Sequence, residues 1–302
     1  MRSAVMLAQR YDISPLIIGM TVVAVGTSAP ELVVSVGAAL EGAPGLAVGN
    51  VVGSNIANVL LIIGIAALIM PIQIGEATLR RDSAMVVSGT LFFIALCLHG
   101  ELDTMAGILL LISFFVFLGM SYWRDTHARP DANAQTGDLI EELEGWPKSR
   151  LGSLFAIIAG ILGLFIGAEL LIDGGLSIAK TWGVSEEVIG LTLFAFGTSL
   201  PELSATIAAA RRGHADVGLG NVAGSNLFNI LGVAGATALV APLPMSKQIV
   251  TFDVWVMLGS TLILVPVLAA GCRISRLTGG GMLAAYLVYI WIQSHGVDQL
   301  IG

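Results

Sequence analysis

Ala24, Thr27, Ser28 and Glu31 fall at i, i+3, i+4 and i+7, so a helix through them carries all four on one face. Pro30 lies inside that run. It lacks an N–H and its ring clashes with the carbonyl four residues back, at Gly26, so the helix is interrupted there and backbone oxygens come free. The face then offers a carboxylate, two hydroxyls and loose carbonyls. These are hard oxygen donors, suited to Ca2+ and Na+ rather than to Zn2+ or copper. Ala195, Thr198, Ser199, Pro201 and Glu202 repeat the set.

A second pattern follows each of these. Asn50, Ser54 and Asn58 recur every four residues on one helical face, and Asn221, Ser225 and Asn229 do the same. Gly49, Gly53, Gly220 and Gly224 lie beside them and read as packing positions where helices approach closely. Asn58 and Asn229 read as ligands or lining of a site. The two patterns share one spacing. Residues 18–32, IGMTVVAVGTSAPEL, match 189–203, IGLTLFAFGTSLPEL, at ten of fifteen positions. Residues 49–58, GNVVGSNIAN, match 220–229, GNVAGSNLFN, at seven of ten. Both matches have an offset of 171 residues, from 18 to 189 and from 49 to 220, which marks an internal repeat.

The elements that must carry these residues are membrane helices. Of 302 residues, 56% are hydrophobic and only 12% charged, about half the charged share of a soluble domain. Mean hydropathy is +0.89. The net charge of -7 leaves no basic footprint for nucleic acid, and the composition excludes an ordinary soluble enzyme and a disordered chain. A bilayer core needs roughly 20 apolar residues per helix. Nine such stretches are read, at 16–40, 45–69, 83–98, 104–122, 151–172, 187–210, 217–240, 250–270 and, with soft boundaries, 280–293. Residues 1–9 contain no long apolar run, so no cleavable signal peptide is read. Cys97 and Cys272 fall at span ends on opposite sides and are expected to be free.

Alternating the spans puts twelve of the fourteen Lys and Arg residues on one side, with only Lys180 and Lys247 on the other. The rich side is cytoplasmic. The chain's first residues then lie inside, its last outside, and the acidic loop 123–150 in the cytoplasm. The helix carrying the first motif leaves the cytoplasm while its copy enters from outside. The halves, 1–122 and 151–302, are therefore inverted-topology repeats, the architecture of secondary transporters. The fold class expected is an all-α polytopic membrane protein. The second half opens with a span at 151–172 ahead of its motif, whereas its counterpart would precede Met1. Nine helices of an expected ten are thus read, the first being absent through a late start, a truncation or a real loss.

GTSAPEL and GTSLPEL, each followed by G-N-x-x-G-S-N-x-x-N, resemble the α-repeats of the sodium/calcium exchanger family, the cation/Ca2+ antiporter superfamily. The resemblance covers nearly the whole chain. It implies ten helices with ion sites between the second and third helices of each half. The ligands it implies are Glu31, Glu202, Thr27, Ser28, Thr198 and Ser199, the carbonyls of Ala24 and Ala195, and Ser54, Asn58, Ser225 and Asn229. Two carboxylates suffice to neutralise one Ca2+ or two Na+. Some relatives carry Asp at the position of Asn229, and Asp there accompanies potassium dependence in one branch, so Asn229 argues against potassium transport. In this family the first and sixth helices slide against the rest, and here only the later one is read.

The function expected is therefore a secondary antiporter exchanging Ca2+ for Na+ by alternating access, not an enzyme and without a resident cofactor. Its partners are the two ions and the lipid bilayer of a bacterial or archaeal plasma membrane; the oligomeric state is left open, with a monomer compatible. A H+-coupled or other divalent-cation exchanger of the same superfamily is the near alternative. A non-transporting or passive-channel protein is the different class that an absent helix would favour. Glu169 and Asp173 read as mouth or packing residues at the end of the 151–172 helix. Asp131, Asn133, Gln135 and Glu142 half-match a calcium loop, but Thr136 stands where such a loop needs Gly. No G-x-S-x-G is present for a serine hydrolase.

Overall fold

The two proline motifs break their helices at equivalent places. The computed structural model describes residues 24–72, 79–127, 150–211, 215–270 and 273–297. Residues 16–23 of the first expected span, the calcium-loop half-match and Cys272 lie outside these. Helix α1 is described from Ala24 and has two pieces, Ala24–Thr27 and Ala29–Leu40. Ser28 parts them, with φ -89° and ψ 10°, because Pro30 occupies the first turn of the second piece. Helix α6 has the same form. It comprises Glu186–Ile189, a π turn Gly190–Phe194 and Ala195–Thr198. Past Ser199 it resumes as Leu200–Arg211, with the arms inclined at 44°.

Helix α2 runs from Pro44 to Ile69 with a π turn over Asn58–Ile63. Helix α7 runs through Ala215–Leu227, a π turn Phe228–Val233 and Ala234–Val240. Both are buried almost all round, which suits helices that are apolar on every side except a small polar stripe. Around them stand α3 (Leu79–Cys97), α4 (Thr104–His127), α5 (Arg150–Trp182), α8 (Ile249–Asp253, a π turn, then Val254–Ala270) and α9 (Arg276–His295). Phe115, Phe155, Leu162, Ile166, Leu170 and Leu287 on these outer helices are exposed. Apolar groups on the outside as well as the inside are what a lipid solvent asks for. Among the described residues, Pro44–Ile69, Gly218–Val240 and Ile249–Pro266 are long and apolar enough to cross a membrane, and the two arms of α6 together make a fourth.

The helix α5 is longer than the stretch 151–172 and ends at Trp182. Gly174 and Gly175 lie within it, and Gly175 is a contact. It lets the Phe194 ring lie against the helix backbone, where a Cβ would collide with it. The stop comes at Gly183, whose φ of 65° belongs to a left-handed cap. Glu169 and Asp173 are accordingly not at a helix end; both are exposed in mid-helix.

Helices α2 and α6 meet backbone to backbone. A Cβ on Gly49 would lie 2.5 Å from the Glu187 carbonyl oxygen, and one on Gly190 would lie 2.6 Å from that of Leu46. The packing reading of Gly49 therefore stands, since only glycine permits this approach. Arg276 donates to the Leu68 and Ile69 carbonyls and so caps the far end of α2.

The all-α reading missed two short extended pairings. Strand β1 (Glu101–Leu102) pairs antiparallel with β2 (Leu243–Pro244), and Ile72 forms a bridge with Ile274. Ile72 and Leu243 stand one repeat offset apart, so each half ties its third-helix exit to the other half in the same way. Asp253 was also not foreseen. It is buried at the start of α8 and accepts from Tyr289 at 2.9 Å, from Gln248 at 3.2 Å and from Gln293, which joins α8 to α9.

Candidate functional site

The breaks at Ser28 and Ser199 place a glutamate in the first turn of each resumed helix, Glu31 in α1 and Glu202 in α6. Both are 0% exposed. The halves then interlock across the repeat boundary. Ser28 donates to Glu202 Oε1 at 2.7 Å, and Ser199 donates to Glu31 Oε1 at 3.3 Å. Ser225 adds a hydrogen bond to Glu202 Oε1 at 3.4 Å. Each carboxylate is thus held chiefly by hydroxyls of the opposite half.

A second layer holds these groups. Asn50 Nδ2 donates to the Glu31 carbonyl at 3.3 Å and to Ser35 at 3.0 Å. Its Oδ1 accepts from Thr198 at 3.1 Å and from Ser54 at 3.4 Å, and Ser54 and Thr198 hydroxyls lie 3.4 Å apart. Asn50 belonged to the polar stripe, but its part as a hub between α1, α2 and α6 was not foreseen. Asn58 donates through Nδ2 to Asn226 Oδ1 at 3.0 Å. Asn229 is buried on α7 with neither end of its amide partnered. Ala195 is buried, and its carbonyl accepts from Ser199 N at 3.3 Å, keeping a second lone pair. Ala24 opens the described part of α1.

Of the twelve residues read from the sequence, the structure joins Ser28 and Ser225 to Glu202 in one hydrogen-bonded group and Ser199, Thr198 and Ser54 to Glu31, through Asn50, in another, with Thr27 buried beside Ser28. Asn58 and Asn229 lie one helical turn beyond Ser54 and Ser225. Each π turn opens beside its asparagine, at Asn58 and at Phe228; such widened turns recur at functional sites. Glu169 and Asp173 stand apart.

The cluster's chemistry lies in what its own hydrogen bonds leave over. Glu31 Oε2, Glu202 Oε2, Asn58 Oδ1 and Asn229 Oδ1 are buried and have no partner. They form two repeat-related pairs, Glu31 with Glu202 and Asn58 with Asn229. A buried polar oxygen without a partner costs free energy, and a buried carboxylate costs more. A cation held by such oxygens would offset that cost. Among the described residues no cluster of three or more His, Cys, Asp or Glu occurs, so the donor set is two carboxylates with neutral oxygens, which fits Na+ or Ca2+ better than a transition metal.

Missed altogether were Asn55 and Asn226, the asparagines of the two G-S-N triplets, and Ser35 and Thr206. Both pairs sit at the repeat offset of 171, and that was the signal available. Thr206 Oγ1 and both ends of Asn221 have no partner, unlike Ser35 and Asn50 in the other half.

A family model described as sodium/calcium exchanger protein matches residues 1–123 and 152–295. The sodium/calcium exchanger MaX1 of Methanosarcina acetivorans is 33% identical, over 96% of this chain and 91% of that protein. The inner membrane protein YrbG of Escherichia coli is 37% identical over 80% of this chain and 74% of its own. Among solved structures, the sodium-calcium exchanger NCX_Mj soaked with 2.5 mM Na+ and 0.1 mM Ca2+ is similar at a TM-score of 0.68. It has 33% sequence identity, covering 96% of this chain and 90% of that one.

Proposed function

The chain belongs to the sodium/calcium exchanger family, and from that premise we propose that it extrudes Ca2+ in exchange for Na+ by alternating access. It is an integral membrane cation antiporter of the Ca2+-exchanging kind, not an enzyme. The observation that carries the Na+/Ca2+ reading is the reciprocal pairing of Ser28 with Glu202 and Ser199 with Glu31, which leaves one oxygen of each carboxylate for a cation.

The proposed ligands are Glu31 and Glu202 with Thr27, Ser28, Thr198 and Ser199. The Ala24 and Ala195 carbonyls, Ser54, Asn58, Ser225 and Asn229 complete the set. Two negative charges in a low-dielectric site are neutralised by one Ca2+ or by two Na+. Both ions need the same oxygens, so one cargo displaces the other, and obligatory exchange follows. The soaks of NCX_Mj with Na+, Ca2+ and Sr2+ support the same class of ions here. The two inverted halves, 1–122 and 151–302, related by a pseudo-two-fold axis, give the protein two alternative packings, one open to each side. The excess of Lys and Arg puts the 123–150 loop in the cytoplasm and the last residues outside.

Membrane vesicles loaded with Na+ test this. Imposing an outward Na+ gradient is expected to drive ⁴⁵Ca2+ uptake, and a pH gradient alone is expected not to. Uptake driven by pH and indifferent to Na+ would replace the reading with proton coupling.

A further inference from the structure

Asn58 can serve a cation only through its oxygen, because the NH2 end of the same amide repels positive charge. The two ends have nearly the same shape, so something must choose between them. The choice can be traced to a backbone carbonyl. Asn55 O on α2 can only accept, and it accepts from Asn226 Nδ2 of α7 at 3.3 Å. The nitrogen end of Asn226 is thereby fixed toward α2, and its oxygen is turned to Asn58. Asn226 Oδ1 can only accept in turn, and it takes Asn58 Nδ2 at 3.0 Å. Asn58 is left with its nitrogen occupied and its Oδ1 buried and unpartnered. Asn226 is 1% exposed and Asn58 0%, so no solvent competes for either end.

The opposite half lacks this lock. Asn55, the repeat equivalent of Asn226, turns back on its own helix and donates to the Val51 carbonyl at 2.8 Å. Asn229, the equivalent of Asn58, has neither amide end held. We infer that Asn226 is a positioning residue that presents the Asn58 oxygen to the transported cation. This inference rests on the proposed ion site and assigns a part to a residue outside its ligand set.

The test uses the full chain, purified in detergent for Ca2+ titration calorimetry and reconstituted for Na+-driven ⁴⁵Ca2+ flux. Asn226→Leu keeps the branching and size but removes the acceptor. It is expected to weaken Ca2+ binding about tenfold, the scale of one lost contact to a charge, and to raise the half-saturating Ca2+ concentration with the maximal flux changed less than about twofold. Asn58→Ala is expected to weaken binding at least as much, and the double variant no further than Asn58→Ala alone, because Asn226 acts only through Asn58. Asn226→Asp retains an accepting oxygen and is expected to stay within about threefold of the parent. Where leucine is not tolerated, Asn226→Ala carries the same comparison. A packing role alone would lower the melting temperature and add its full effect in the Asn58→Ala background, and that outcome overturns the inference. So does unchanged binding in Asn226→Leu while Asn58→Ala is impaired. Unchanged binding in Asn58→Ala brings down the ligand assignment itself.

Discussion

Ser28 donates a hydrogen bond to Glu202 at 2.7 Å although 174 residues separate them. The repeat-equivalent bond, Ser199 to Glu31, is 3.3 Å. A hydroxyl from each half therefore holds the carboxylate of the other, and neither half can form its site alone. The serines can do this because each stands at the break of its own helix, where the chain turns inward ahead of a proline. Fold and cluster are thus one construction, since the same Pro30 and Pro201 that interrupt the helices bring each serine to the other half's glutamate.

Neutralising either carboxylate is expected to abolish exchange. Glu31→Gln and Glu202→Gln keep size and helix propensity but leave one charge where Ca2+ needs two. Na+-driven ⁴⁵Ca2+ uptake should fall at least about a hundredfold, the cost of roughly 3 kcal/mol for a lost buried charge pairing, with the protein still inserted. Glu101→Gln, on the exposed glutamate of strand β1, is the matched control and should be silent. Wild-type flux in both site variants would remove these glutamates from the mechanism.

The serine bonds differ in length, and their loss should differ in effect. Ser28→Ala is expected to weaken Ca2+ binding more than Ser199→Ala, on the order of 1.5–3 kcal/mol for a hydrogen bond to a charged group. In a double-mutant cycle, Ser28→Ala should couple to Glu202→Gln and not to Glu31→Gln. Calorimetry on the four combinations reads this directly, and equal coupling to both glutamates would contradict the crossed arrangement.

Gly49 has no room for a side chain. Its Cβ would meet the Glu187 carbonyl at 2.5 Å and the Gly190 Cα at 2.9 Å, and neither is the end of a flexible side chain. Gly49→Ala should therefore part α2 from α6, costing about 1–3 kcal/mol. Gly119→Ala, in a helix position with nothing within 4 Å, should be neutral or stabilising. Melting temperatures in detergent distinguish the two. A Gly49→Ala protein that melts with the parent would show that α2 and α6 yield easily.

Much of this was legible because repetition doubles every signal. Two copies of G-T-S-x-P-E-L at one offset identify the glutamates, and the prolines beside them foretell the breaks at Ser28 and Ser199. What stayed hidden depends on which way a side chain turns. Asn55 and Asn226 are the same residue in the same triplet, yet one bonds its own helix and the other crosses to α2. The helix read over 151–172 runs on to Trp182, and its Gly175 makes room for the Phe194 ring, which no local pattern announces. Asp253 is a lone carboxylate in the sequence, and its partners Tyr289 and Gln293 come from a helix that no local pattern connects to it.

The last prediction turns on two residues that the sequence makes equivalent and the structure does not. Asn50 and Asn221 occupy the same position of the two G-N-x-x-G-S-N motifs. Asn50 bonds to Ser35, the Glu31 carbonyl, Thr198 and Ser54. Neither end of Asn221 is bonded, and nor is the hydroxyl of Thr206, the counterpart of Ser35. Inverted halves that differ in this way are what one of two alternative packings would show: a network closed on one side of the ion site and undone on the other. Removing Asn50 strips partners from several buried groups at once, at about 1–3 kcal/mol each for groups left unsatisfied. Removing Asn221 strips none. Asn50→Ala is therefore expected to lower the melting temperature in detergent by several degrees, while Asn221→Ala melts with the parent. The proposed alternating access needs the opposite packing as well, with Asn221 taking up the bonds that Asn50 releases, so both variants are expected to slow Na+-driven Ca2+ flux. Equal melting temperatures for the two variants would mean that the difference between the halves carries no energy, and normal flux in Asn221→Ala would mean that the opposite network does not form.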